Sequence, residues 1–235
     1  MTDTGQGSAQ SAVPTRRQQL IEVGVFLFLC MPGLVLSAFR SEPARRDFLL
    51  DAIWVLCWGL GLTALVLFLL WRNREPRSAI GWSLRKLWTD IPLGVALFLP
   101  VHLSAAWGYA LFRSLGLPDG SRPLPSYCAP EGPTQLVLAV VLIAVLALVD
   151  ETIFRGYLIL RFTTITRSAP VAVALAAVFF AVEHAYQGPA GIATTGIVGL
   201  SLGLIYVWRR TLVAPVVVHF LANVLYIIAP ALFAL

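Results

Sequence analysis

Apolar residues in this chain fall into long blocks separated by short stretches that carry Arg, Pro, Gly or Ser. Seven blocks reach or approach the roughly 20 residues that a helix needs to cross a bilayer: Leu20–Phe39, Ile53–Trp71, Ile91–Phe112, Leu136–Phe154, Val171–Tyr186, Gly191–Trp208 and Leu212–Leu235. Pro230 interrupts the last block, so its spanning part is predicted to end there. The pattern predicts an all-α fold: a polytopic integral membrane helical bundle of about seven transmembrane helices. Residues 1–19, a polar leader with Gly, Ser and Gln, read as a disordered cytoplasmic tail, and residues 20–235 as a single transmembrane domain without internal repeat. The first block is too long for the apolar part of a cleavable signal, and further blocks follow it.

Composition agrees. With 58% hydrophobic and 12% charged residues and a mean hydropathy of +0.82, the chain lies outside the range of water-soluble domains. Its net charge of +5 would suggest nucleic acid in a soluble protein. Here the basic residues flank the blocks, where they anchor to anionic membrane lipids, and no nucleic-acid site is expected. Arg16 and Arg17, then Arg72, Arg74, Arg77, Arg85 and Lys86, then Arg161 and Arg167, then Arg209 and Arg210 all face one side if the N-terminus is cytoplasmic, as the positive-inside rule requires. Arg40, Arg45 and Arg46 dissent. Cys30, Cys57 and Cys128 show no metal-ligand spacing. Leu117–Pro133 reads as an irregular outward loop. Ser78–Thr89, with Trp82, Leu84, Leu87 and Trp88, reads either as a short helix on the inner headgroup layer or as a solvated basic loop.

Against this apolar background, charge is conspicuous in three places: Asp150, Glu151 and Arg155 on span four, Glu183 and His184 on span five, and His219 with Asn223 on span seven. A charged side chain at the centre of a membrane helix costs on the order of 3 kcal/mol, so its retention points to function. Residues i and i+4 share a helix face, which pairs Glu151 with Arg155 and sets His219 beside Asn223. Asp150 is left as the unpaired acid and the natural candidate for a base. Asp150 and His184 lie at similar chain distances from the turn near Arg167. His219 lies about eight residues, roughly 12 Å, above the turn at Arg210. The three meet only if the hairpin of spans four and five projects some 10 Å beyond the membrane on the inner side. The expected cavity therefore sits in the cytoplasmic half of the bilayer. A simpler reading of the acids and Arg155 is an ion-pair cluster that fixes helix packing.

The order Asp150-Glu151-x-x-x-Arg155, Phe180-x-x-x-His184 and His219-x-x-x-Asn223, with Phe154-Arg155-Gly156-Tyr157-Leu158 around the first motif, resembles the CAAX-processing and bacteriocin-processing (CPBP, or Abi) family of glutamate-type intramembrane endopeptidases. The resemblance covers residues 134–235 and implies a CAAX-prenyl-protease-like catalytic core there. It implies that Asp150 and His184 prepare the attacking water, that Glu151 and Arg155 form a structural pair, and that His219 and Asn223 stabilise the oxyanion. The implied partner is a protein or peptide substrate, including a lipidated one. The family carries Glu where this chain has Asp150, one methylene shorter, while a general base must come within about 3 Å of the proton it takes. Three alternatives follow: closer helix packing, transfer of the base role to Glu151, or reduced or lost activity. The last would make the chain an inactive membrane scaffold or an immunity-type binding protein. A proton-coupled transporter would also keep acids and histidines in its spans, but the halves of this chain show no paired symmetry. The family is often labelled metalloprotease, and two histidines with a carboxylate admit a divalent metal such as zinc. No H-E-x-x-H helix is present, and no cofactor or metal ligand is assigned.

Overall fold

The computed structural model describes residues 14–37, 47–120 and 126–233, and only the backbone of 32–37. The expected tail up to residue 13, the loop with Arg40, Arg45 and Arg46, and the last two residues lie outside the described residues. Among those described, the helices are α1 Arg16–Ser37, α2 Phe48–Arg72, α3 Leu87–Ser114, α4 Gly132–Thr166, α5 Ala169–Glu183, α6 Gly188–Arg209 and α7 Val213–Phe233. Five of them, α2, α3, α4, α6 and α7, are long and apolar enough to cross a membrane. The chain is an all-α helical bundle of membrane type. Leu99 and Leu103 on α3, Val137 and Val141 on α4 and Leu204 on α6 stand outward and exposed, as lipid-facing residues do.

Helix ends follow local chemistry. Asp47 caps α2, its side chain accepting from the amides of Leu49 at 2.7 Å and Leu50 at 3.4 Å, and Pro133, Pro170 and Pro189 stand in the first turns of α4, α5 and α6, where their missing N–H costs nothing. Three turns on the arginine-rich side end in left-handed residues that are not glycine: Arg74 (φ 56°), Arg167 (φ 60°) and Arg210 (φ 56°). Each accepts a backbone conformation unfavourable for a side chain while placing positive charge at a helix C-terminus, where the helix dipole favours it.

At the centre lies α4, 35 residues long, which continues past the expected end of span four. Its residues Glu151–Leu158 wind as a π-helix, and all eight are buried. Such i→i+5 stretches concentrate at functional sites. Around this segment pack Val23 and Phe26 of α1, Val66 and Leu70 of α2, and Val173 and Phe180 of α5. Ile80 closes it from below, its carbonyl standing 2.8 Å from where a Cβ on Gly156 would be, so only glycine permits the approach. The segment read as a headgroup helix or a solvated loop is thus neither at its start. Arg77–Ile80 is a 3₁₀ turn with Ile80 fully buried, and Trp82 Nε1 donates to Thr152 Oγ1 at 3.0 Å. Leu84 and Trp88 remain exposed.

Small residues let α5 and α6 approach closely: a Cβ on Gly199 would lie 3.1 Å from Ala177, and one on Gly203 2.8 Å from Val173. Two buried ion networks tie the arginine-rich end. Glu22 of α1 accepts from Arg72 (2.7 Å), Asn73 (2.8 Å), Tyr157 (3.0 Å) and Arg161 (2.7 Å), and Arg161 also donates to both carboxylate oxygens of Glu75 at 2.8 and 2.5 Å. Asp90 of α3 accepts from Arg209 at 2.9 and 2.6 Å and from Thr211, fastening the α6–α7 turn.

Candidate active site

The π-wound start of α4's second half, the end of α5 and the middle of α7 gather Asp150, Glu151, Arg155, His184 and His219 around Phe180; no hydrogen bond joins Asn223 to them among the described residues. Glu151 is fully buried. Arg155 Nη1 donates to its Oε1 at 3.0 Å, and the guanidinium lies 4.1 Å above the centre of the Phe180 ring, with Nη2 3.5 Å from the Gly199 carbonyl. Charge pairing and cation–π contact together hold this arginine in a dry interior.

His219, buried on α7, reaches the same carboxylate: its Nδ1 lies 2.9 Å from Glu151 Oε1. An ionised carboxylate only accepts, so Nδ1 carries the hydrogen. The other ring nitrogen, Nε2, is then directed at Asp150, 3.9 Å from its Oδ2. That distance is too long for a hydrogen bond and suits a bridging group. The Asp150 side chain keeps 17% exposure, against 0% for Glu151.

His184 also lies against the Phe180 ring. Its Nδ1 donates to the Phe180 carbonyl at 2.9 Å, which leaves the Nε2 lone pair as its basic position. The Phe180 ring sits 4.7 Å from His184 and 5.7 Å from His219, edge-on to the latter. Phe180 therefore touches both imidazoles as well as being a core residue. No hydrogen bond joins Asp150 directly to His184 among the described residues. Asn223 is half-buried one turn beyond His219, at the last residue before the π-wound stretch Val224–Ile228 of α7.

Sequence reasoning left Glu183 without a role. The structure places it within electrostatic reach of Asp150 and Arg155, with one carboxyl oxygen, Oε2, buried and lacking a hydrogen-bond partner among the described residues. Its adjacency to His184 in the sequence was the signal available. The loop after α3 was also missed as a neighbour. Gly120 N donates to the Gln187 carbonyl at 2.9 Å and Ala190 N to the Pro118 carbonyl at 3.1 Å, pinning the loop to the start of α6. Beyond it, Tyr127 lies within electrostatic reach of Asp150 and Glu183. Burial pushes the Tyr127 phenol well above its ordinary range and the Cys128 thiol up to about 12, though both residues keep part of their surface exposed. Among the described residues, no three His, Cys, Asp or Glu side chains are arranged to hold a metal ion. The described donors therefore do not make up a metal-binding set.

No curated protein and no solved structure matches the chain. A family model does, over residues 132–225, under the description type II CAAX prenyl endopeptidase Rce1-like. The match begins at the first turn of α4, takes in all three polar motifs, and stops within α7, short of the C-terminus to which the sequence resemblance was extended. Together with the five helices long and apolar enough to cross a membrane, it makes this an integral membrane protein whose residues 132–225 are similar to the Rce1-like type II CAAX prenyl endopeptidases.

Proposed function

We propose that the protein is an intramembrane endopeptidase that hydrolyses a peptide bond with a water activated at Asp150. The observation that supports this best is the arrangement around His219. Arg155 neutralises Glu151, Glu151 orients His219, and His219 aims Nε2 at the part-exposed Asp150 across 3.9 Å. A water between those two atoms gives its proton to Asp150, with the Nε2 lone pair of His184 assisting. His219, taking an Nε2 proton from bulk solvent before the peptide binds, and the Asn223 carboxamide donate to the developing oxyanion. Preorganised donors of this kind are the largest single source of acceleration in acyl transfer. The site opens to the cytoplasmic leaflet, with the N-terminus on that side. The substrate is the C-terminal region of a lipid-modified protein, or a membrane peptide where no prenylation occurs.

The assay uses purified protein in lipid nanodiscs with internally quenched membrane peptides. Wild type cleaves; Asp150→Asn and His184→Ala lose about 100-fold or more in rate, and Asp150→Glu retains activity. Absence of cleavage by the wild type refutes the proposal. The shorter acid at position 150 favours one second reading, a scaffold that binds peptides without cutting them. That reading requires peptide binding unaffected by Asp150→Asn together with no cleavage.

A further inference from the structure

The hydrolytic reaction uses His184 and nothing else of the turn between α5 and α6. α5 holds 15 residues and rises about 22 Å, less than the roughly 30 Å of bilayer hydrocarbon. Its closing turn, residues 184–187, therefore lies at membrane depth. Irregular backbone is tolerated there only when enclosed by protein or bordering a water-filled cavity. All four residues of the turn keep part of their surface exposed, which favours the cavity. Tyr186 rests its ring against His184, centroids 5.9 Å apart. Its hydroxyl oxygen accepts from Gln187 Nε2 at 3.3 Å, and Gln187 Oε1 in turn accepts from Oγ1 of the buried Thr195 at 3.3 Å. Gln187 is fixed in other ways too. Its carbonyl accepts from the Gly120 amide at 2.9 Å, and its Cβ stands 2.3 Å from where a Cβ on Gly191 would be, an approach that glycine permits. A phenol has one hydrogen to donate, and that of Tyr186 meets no acceptor among the described residues. An unmade hydrogen bond at membrane depth is costly, so the free hydrogen marks a place for an acceptor from outside the chain. Asp150 lies within electrostatic reach of the phenol, which puts that place at the edge of the site.

We propose that Tyr186 holds the substrate: its hydroxyl donates a hydrogen bond to a backbone carbonyl of the bound peptide beside the scissile one, with Gln187 and Thr195 as positioning residues behind it. The contact rests on the hydrolytic reading for the identity of its ligand as a peptide. An extended segment lying in the site leaves its carbonyls without internal partners, and each needs a donor at membrane depth. A neutral phenol meets a neutral carbonyl without any charge. Position separates this carbonyl from the reacting one: the oxyanion donors His219 and Asn223 stand on α7, whereas Tyr186 follows α5 and lies against His184. Because the flanking carbonyl is the same in the ground and transition states, the bond tightens binding and leaves the chemical step alone.

The test uses the full chain in nanodiscs with the quenched membrane peptide. Tyr186→Phe keeps the ring and removes the donor, so KM should rise about 5- to 10-fold, the worth of one hydrogen bond, with kcat unchanged. Gln187→Leu should raise KM less, and adding Tyr186→Phe to it should reach the value of Tyr186→Phe alone and no more. A scan that replaces each peptide carbonyl in turn by a thiocarbonyl, a poor acceptor, should find one position that weakens binding to wild type and not to Tyr186→Phe. A KM unmoved by Tyr186→Phe, a loss in kcat alone, or thiocarbonyl effects identical in both proteins overturns the contact. Should Tyr186→Phe fail to fold, the scan compared between wild type and Gln187→Leu decides by the same criterion. Cleavage with any of those overturning results leaves the hydrolytic reading intact. If the wild type does not cleave, that reading falls, and the contact is judged on the Kd of the intact peptide by fluorescence anisotropy: weaker binding to Tyr186→Phe sustains it, and equal or absent binding overturns it.

Discussion

Removing the cation from the Glu151–Arg155 pair is the sharpest perturbation available, because the partner left behind is a fully buried carboxylate. Arg155→Met preserves bulk but deletes the 3.0 Å ion pair and the stacking 4.1 Å above Phe180. Breaking a buried pair by deleting one member costs about 3–5 kcal/mol, and a desolvated cation–π contact adds about 2 kcal/mol. His219 still bonds Glu151 and offsets part of this, so the expected loss is about 4 kcal/mol, a large share of the roughly 5–15 kcal/mol of a typical fold. Arg155→Lys keeps the charge but not the planar fork, and should lose about 1–2 kcal/mol. Replacing both partners, Glu151→Gln with Arg155→Met, removes the stranded charge and should recover about 2 kcal/mol relative to the sum of the single changes. The assay is unfolding in mixed micelles at rising denaturing detergent, followed by tryptophan fluorescence and circular dichroism. Additivity of the two single changes within about 0.5 kcal/mol would show that the charges do not interact, and the account of the site would fail.

Two further outcomes follow from the surroundings. Glu22→Gln should destabilise the bundle by about 2 kcal/mol, since Arg161 keeps Glu75 but loses its 2.7 Å partner; hydrogen exchange in α1 should accelerate more than in α3, and equal rates would refute the tie. Gly188→Ala combines a φ of 76° with a Cβ 2.2 Å from the Gly120 amide nitrogen, so it should cost at least about 2 kcal/mol. It should also free the loop after α3, read as limited proteolysis near residue 120; wild-type resistance in the variant would refute it.

The sequence alone determined the class of the molecule and the identity of its polar side chains. Blocks of roughly twenty apolar residues have one stable form in lipid, the helix, because every backbone polar group must be bonded within it. Charges kept inside such blocks are costly enough to stand out in one dimension, which is why Glu151, Arg155 and His219 could be named and the first two paired by their i, i+4 spacing. Tertiary structure decided what those side chains face. Spacing assumed α-helical winding, but Glu151–Leu158 is π-wound and buried throughout, a consequence of packing against the surrounding segments that no local pattern encodes. His219 turns its Nδ1 to Glu151 because α7 crosses α4 at that level, and Ile80 reaches Gly156 because a turn between α2 and α3 folds inward. Glu183 shows the limit most clearly: its neighbour His184 announced itself through a motif, whereas the burial of its Oε2 exists only once α5 is docked, since burial is a property of the assembled bundle and not of the chain.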